Sequence, residues 1–386
     1  MTIERARDVL IALLRSGTVP DGAWAEVDVE ALCREADRHG VAPLLAANPQ
    51  LLARAPAMLA SRLLDIQRRE VAVDLLREQG IREVMAAFGR AAVPALLFKG
   101  TQLAYTHYPR PDLRPRLDTD VLIAAGDRPR AHGVLLALGY RPDVQAGSAG
   151  VLYQQAYVRQ GPEALPHVLD MHWRLANPEV FGHVLSFEEM AAESVCIPQL
   201  GRHVRGLGAV HALLVASVHR VAHHFDDDRL IWLYDLARVG GGLDADGWRR
   251  FRALASARGV LSVCRASLEQ AEAVCGPVVP EACRHELLHE PWDAREVTAA
   301  YLDARRPHAF VVLDDLRALP DWRGRLRVVR SHMFPPARYM REIYAPRSRA
   351  PVAWLYAVRA VRGARRWLSK PGTAPPLDTF DGRSPQ

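Results

Sequence analysis

Apolar positions recur three and four apart through roughly the first 90 residues, collapse into short continuous runs, then return to helical spacing. Val9, Leu10, Leu13 and Leu14 mark one face of a first helix. Asp28 is placed to cap a second helix running through Leu32 and Ala36 to Gly40, and from Met58 to Phe88 leucines alternate with Arg and Glu at helical spacing. The run Val93 to Phe98 predicts a buried strand that leads straight into Lys99-Gly100. Gln102 to Tyr108 suits a helix, the three prolines between Pro109 and Pro115 a loop, and Asp120 to Ala124 a second strand. A helix over Pro129 to Leu138 follows. Val151 to Arg159 and Leu165 to Trp173 read as two more strands about a turn at Gln160-Gly161-Pro162.

Beyond the Gly-rich stretch Leu200 to Gly208 five helices are expected: Ala209 to His224, Leu230 to Arg238, Trp248 to Ala257, Val260 to Val274 and Glu281 to His289. The divisions are therefore an N-terminal helical region (1–90), a mixed α/β core (91–200), a helical domain (201–300), a Pro/Arg-rich segment with a last amphipathic helix from Val352 to Leu368 (301–368), and a disordered tail (369–386). The fold class is α+β: a small mixed sheet flanked by helical regions on either side in sequence.

Ordinary globular proportions, 49% hydrophobic and 24% charged, exclude disorder of the whole chain, a collagen-like repeat and a disulfide scaffold. No apolar run reaches membrane-span length, and Glu4, Arg5, Arg7 and Asp8 occupy the place where a secretory signal needs its apolar stretch. Five widely spaced cysteines without a CxxC read as reduced thiols, so a cytoplasmic location is expected. The net charge of +6 permits an anionic ligand, but the basic residues read as scattered, so nucleic acid is not indicated. Of the 50 basic residues only Lys99 and Lys370 are Lys. A Lys kept against that bias is either a chance surface cation, the reading for Lys370 in its Pro/Gly-rich tail, or marks a place where a compact ammonium on a flexible stem is wanted, the reading for Lys99 at a strand end.

Candidate chemistry centres on RLDTDVLI. Alternate strand residues share a face, so Asp118 and Asp120 point the same way while Leu117, Val121 and Ile123 pack. Two carboxylates so close repel unless a cation lies between them, and hard oxygen ligands suit Mg²⁺. Asp170 lies inside the apolar strand HVLDMHW, where an unpaired charge costs several kcal/mol. If its strand neighbours that of Asp118 and Asp120, the three form an oxygen-rich site for two divalent ions about 3.5 to 4 Å apart. His172 and Trp173 straddle the same strand, so one of them borders the cleft. His219 and His223 share a helix face, but this HxxxH lacks the metalloprotease Glu, leaving a structural or cleft-lining role. Asp226, Asp227 and Asp228 follow them, and Asp235 on the next apolar helix is expected to pair with an Arg. Serine-hydrolase elbow, Walker and Rossmann patterns are all missing from the sequence.

The order strand, Lys-Gly, helix, Arg114, DxD strand and a later strand Asp resembles the DNA polymerase β-like nucleotidyltransferase superfamily. More closely, LLFKG (Leu96 to Gly100), Tyr108, Arg114, DTDVLI (Asp118 to Ile123) and LDMHW (Leu169 to Trp173) resemble a family of uncharacterised nucleotidyltransferases. His39 to Leu45, His219 to Val239 and Phe334 to Tyr344 extend the likeness. The sequence departs from the wider superfamily in having Lys99-Gly100-Thr101 where Gly-Ser is usual, and in a longer interval to Asp118.

The resemblance implies a nucleotidyltransferase core and transfer from a nucleoside triphosphate to an acceptor that is a small molecule, peptide or protein, with release of pyrophosphate. Asp118, Asp120 and Asp170 would be the catalytic and metal residues, holding two Mg²⁺ ions. Lys99, Gly100, Thr101, Arg114 and Arg116 would bind the nucleotide. Tailoring of a peptide or small-molecule natural product is a narrower variant. The alternative is a non-catalytic nucleotide-binding or partner-binding protein on the same fold.

Overall fold

In a computed structural model the described residues are 3–18, 24, 27–143, 153–161, 165–223, 229–289, 296–303, parts of 313–341, and 350–368. The N-terminal region is helical as its periodicity predicts: α1 (Ile3–Ser16), α2 (Val29–Arg38), α3 (Ala42–Ala46), α4 (Pro49–Arg54) and α5 (Ala57–Arg90). Asp28 caps α2, accepting from the Ala31 N–H at 3.0 Å.

The mixed region forms β1 (Ala95–Leu97), α6 (Lys99–Thr106), β2 (Thr119–Ile123), α7 (Arg128–Ala137), β3 (Arg141–Pro142), β4 (Gln154–Gln160) and β5 (Pro166–His172). Short helices α8 (Glu179–Gly182) and α9 (Phe187–Ala192) lead to two-residue strands β6 (Val195–Cys196) and β7 (Arg205–Gly206). Strands β3, β6 and β7 are too short to carry a periodicity of their own. The expected strand beginning at Val151 starts at Gln154 among the described residues; residues 151–152 and Pro162 of the turn lie outside them.

These strands make one sheet in the order β3-β4-β5-β2-β1-β7-β6. Its centre is parallel, with β2 against β5 in the register Thr119 to Leu169, Asp120 to Asp170 and Leu122 to His172. Period-two alternation then divides the sheet into two faces. Leu97, Val121, Ile123, Leu169 and Met171 pack on the second half of α5 and on α7. Leu96, Phe98 and Leu122 face the other way, into a larger apolar cluster. That cluster includes residues of α1, α2, α10 (Ala209–His223), α11 (Leu230–Gly240), α12 (Ala245–Ala257) and α13 (Leu261–Cys275). The fold is therefore α+β, a mixed seven-stranded sheet flanked by helices.

The expected helix over Glu281 to His289 is α14 (Glu281–Arg284) continued by one wider turn from His285 to His289. Farther on come α15 (Trp322–Met333) and α16 (Val352–Leu368). Asp226 to Asp228, the His223 side chain and residues 369–386 lie outside the described residues.

Candidate active site

The register of β2 against β5 sets Asp120 beside Asp170 on one face, and alternation adds His172 two residues along. Each offers a ligand atom within 4.8 Å of the others. Asp120 is buried, and its Oδ1 accepts from the Lys99 ammonium at 2.9 Å and lies 3.0 Å from Nε2 of His172. A buried carboxyl would ordinarily have its pKa raised, but the Lys99 charge and the His172 contact outweigh burial and hold Asp120 well below the usual carboxylate range. Asp170 has no such cation against it. Burial, then the charges of Asp118 and Asp120, push it up to about 7, and Gln154 is its hydrogen-bond donor at 3.4 Å.

Asp118 precedes the first residue of β2, so strand alternation does not fix its direction. Its neighbour Leu117, expected to pack, is 81% exposed for the same reason. Asp118 stands close enough to feel Asp120, and burial together with that charge raises it to about 6, but its carboxylate is outside the three-residue ligand group. His172 takes that third place. Burial and Lys99 lower its pKa to about 4, so the ring is neutral at pH 7 and bonds to Asp120 without a charge of its own.

Lys99 opens α6 with φ of +52°, in the left-handed region that costs a non-glycine residue roughly 1–3 kcal/mol. The strained backbone accompanies an ammonium brought 2.9 Å from Asp120 and 4.9 Å from the Phe98 ring centroid. Thr101, one turn into the helix, accepts from the Asp120 backbone N–H at 3.1 Å and so ties α6 to β2.

Arg114 and Arg116, expected at the nucleotide, are engaged elsewhere. Arg114 binds Asp235 of α11 through Nε at 2.9 Å and Nη2 at 2.7 Å, with the Tyr108 hydroxyl donating to the same carboxylate at 2.7 Å. This pair is buried, and it is the core Arg partner anticipated for Asp235. Arg116 pairs with Asp74 of α5 at 2.7 Å and donates to the Tyr105 hydroxyl at 3.2 Å. Neither guanidinium can reach a phosphate without leaving a buried carboxylate unpaired.

Gly100 is needed for Arg114 to lie where it does, because a Cβ there would come 2.8 Å from Nη2 and 3.0 Å from Cζ. Since Asp235 locks that guanidinium, Gly100→Ala is expected to destabilise the protein by about 1–3 kcal/mol in urea unfolding.

Trp173 belongs to the opposite face. It lies under the Arg128 guanidinium at 4.2 Å from its ring centroid and borders a groove of about 450 Å³ with His132, Gln155 and Tyr157. Of the two residues straddling the strand, His172 therefore borders the cluster and Trp173 does not. His219 sits edge-on to Trp232, 6.2 Å between ring centroids, at the contact of α10 and α11. Arg77 also adjoins the cluster, with little signal in the sequence. This α5 residue is half-buried, interacts electrostatically with Asp118, and has its pKa lowered to about 10 by burial and by Arg116. Its only sequence signal is a place three residues after Asp74 on the same helix.

The candidate site is thus a parallel strand pair carrying two carboxylates in register, with a lysine at the preceding strand end and helices closing over the sheet. The chain matches the family described as uncharacterised nucleotidyltransferase over residues 25–276, and it belongs to that family of transferases. No curated protein and no solved structure matches it.

Proposed function

We propose that the protein is a Mg²⁺-dependent enzyme that transfers a nucleotide, or a related nucleotide-linked group, from a nucleoside triphosphate to an acceptor. The observation that carries this reading is the in-register pairing of Asp120 with Asp170, with Asp118 adjoining. The donor set fits a hard divalent cation: two carboxylates lie within ligand distance of one site, and the two acids without a close ammonium have raised pKa values, as expected where cationic charge is lacking. Asp120 and Asp170 would hold the ion, with Asp118 at its edge and His172 bracing Asp120. Bound there, Mg²⁺ supplies charge neutralisation for the phosphates and the departing pyrophosphate.

The chain's own groups do the rest. Asp170, with the highest pKa of the three acids, is the base for the acceptor hydroxyl. Lys99 and Arg77 are the cations that meet the triphosphate, while Arg114 and Arg116 hold the loop before β2 through Asp235 and Asp74. The five cysteines are all free thiols, which supports a cytoplasmic setting.

The reading is tested with nucleoside triphosphates labelled at the α-phosphate, Mg²⁺ and an extract of the producing cell. Wild type should label a product. If Asp118→Asn/Asp120→Asn labels it equally well, the assignment is wrong.

Lys99 gives a separate test. Lys99→Met should weaken Mg²⁺-nucleotide binding by about 1.5–3 kcal/mol, the worth of a charge-assisted hydrogen bond. Lys99→Arg should fail to restore it, because a planar fork does not fit the small space between Asp120 and His172. Calorimetric titration of both variants decides. Wild-type affinity in both would make Lys99 a counter-ion for Asp120 and nothing more.

A further inference from the structure

The basic residues are not evenly scattered, as the sequence reading has it. Residues 322–368 hold twelve Arg against a single acid, Glu342, so the rest of the chain is net −5. The same segment exposes large apolar side chains. Trp322, Leu326, Val329 and Met333 of α15 are spaced 4, 3 and 4 apart, which sets them within about 60° of one another on the helix. They are between 40% and 68% exposed.

The helix is thus turned over relative to an ordinary surface helix. Its small residue Gly324 is buried, the Asp321 cap holds its start by accepting from the Gly324 N–H, and its apolar stripe looks outward. Arg325 borders the stripe on one side and Arg323 and Arg330 on the other, all exposed. Phe334, 61% exposed, meets Tyr356 of α16 at 5.8 Å between ring centroids and joins the two helices. Trp354 on α16 is 63% exposed, while Leu355 beside it is buried.

We infer that α15 and α16 form a docking surface for an anionic lipid bilayer, lying in the plane of the interface. Arg beside an aromatic and aliphatic stripe is the composition of an interfacial helix, with guanidinium groups reaching headgroups while Trp, Leu and Met enter the acyl boundary. Charge complementarity selects this occupant. A second copy would bring net +11 against net +11. A nucleic acid would satisfy the arginines and leave the apolar stripe in water. No helix among the described residues is long and apolar enough to cross a membrane, so the contact is peripheral.

The full chain is floated with vesicles of phosphatidylcholine alone or with about 30 mol% phosphatidylserine in 0.15 M salt. It should float only with the anionic vesicles, and brominated acyl chains should quench its Trp fluorescence there, a readout that needs no variant. Trp322→Gln/Leu326→Gln should lower binding at least about tenfold. Arg323→Gln/Arg330→Gln should lower it about twenty-five-fold, near fivefold for each charge. Both pairs replace exposed side chains, and circular dichroism checks that they fold. The inference is overturned by absence of flotation, by equal binding to neutral vesicles, or by unquenched Trp. It is also overturned if the Trp322/Leu326 variant binds like wild type, the result expected of a general polyanion site, or if wild type is a dimer that this variant splits.

Discussion

Asp120→Asn is expected to lower nucleotide transfer by about 10³-fold or more. The substitution keeps the shape of the side chain and removes the charge that Lys99 and His172 converge on. A metal-binding carboxylate contributes several kcal/mol to the stabilisation of phosphoryl charge, and each 1.36 kcal/mol is worth about tenfold in rate. Lys99 is only partly buried, so its ammonium can turn to solvent once Asp120 is neutral, and the fold is expected to survive. Incorporation of α-phosphate label, measured beside circular dichroism of the variant, separates the two effects. A folded variant with wild-type incorporation would remove Asp120 from the chemistry.

Asp235→Ala is expected to be the most destabilising single change outside the apolar core, costing about 3–5 kcal/mol. The carboxylate is buried and takes both faces of the Arg114 fork together with the Tyr108 hydroxyl. Its loss leaves a guanidinium without a counter-charge in a site closed by Gly100 and α11. Because Arg114 anchors the loop that leads into β2, the carboxylate cluster should loosen as well. Denaturant unfolding gives the stability change directly. Arg114→Leu/Asp235→Leu, which removes both charges and restores apolar volume, should recover a large part of it; no recovery would mean that the pair is not the source of the loss.

Much of this arrangement is legible in the sequence because it follows from periodicity. Asp170 within an apolar strand demands a partner, and the register with β2 supplies a site that two strands together create. The alternation that places Asp170 on one face also chooses His172 over Trp173, a consequence available from the i, i+2 spacing alone. Asp118 is less legible. The DxD pattern suggests two carboxylates on one face, but the strand begins at Thr119, and a residue before the strand is not bound by its alternation.

The arginines show the other limit. Arg114 and Arg116 stand near the DxD motif in sequence, yet their partners Asp235 and Asp74 are 121 and 42 positions away, and only the folded chain shows that both guanidinium groups are already neutralised. Arg77 is the converse case: helix α5 carries it toward Asp118 from a segment that reads as scaffold. The short strands β3, β6 and β7 exist through pairing with longer neighbours, which two residues cannot announce.

The most direct test of the central claim, that Asp120 and Asp170 build a divalent-cation site, is the rise in melting temperature on adding Mg²⁺ as a function of pH. Asp118 and Asp170 have pKa values raised to about 6 and 7 in the folded, metal-free protein, so each contributes stability at low pH that is lost as pH rises through those values. Mg²⁺ needs Asp170 ionised and gains from a charged Asp118 at its edge, so its stabilising increment should be small at pH 5, grow through pH 6 to 7 and level off near pH 8. Taking the difference with and without Mg²⁺ at each pH cancels the opposing contribution of a histidine away from the site whose pKa is lowered, such as His167. Asp120→Asn/Asp170→Asn should abolish the increment. An increment that is flat with pH, or one that survives in the double variant, would contradict the account.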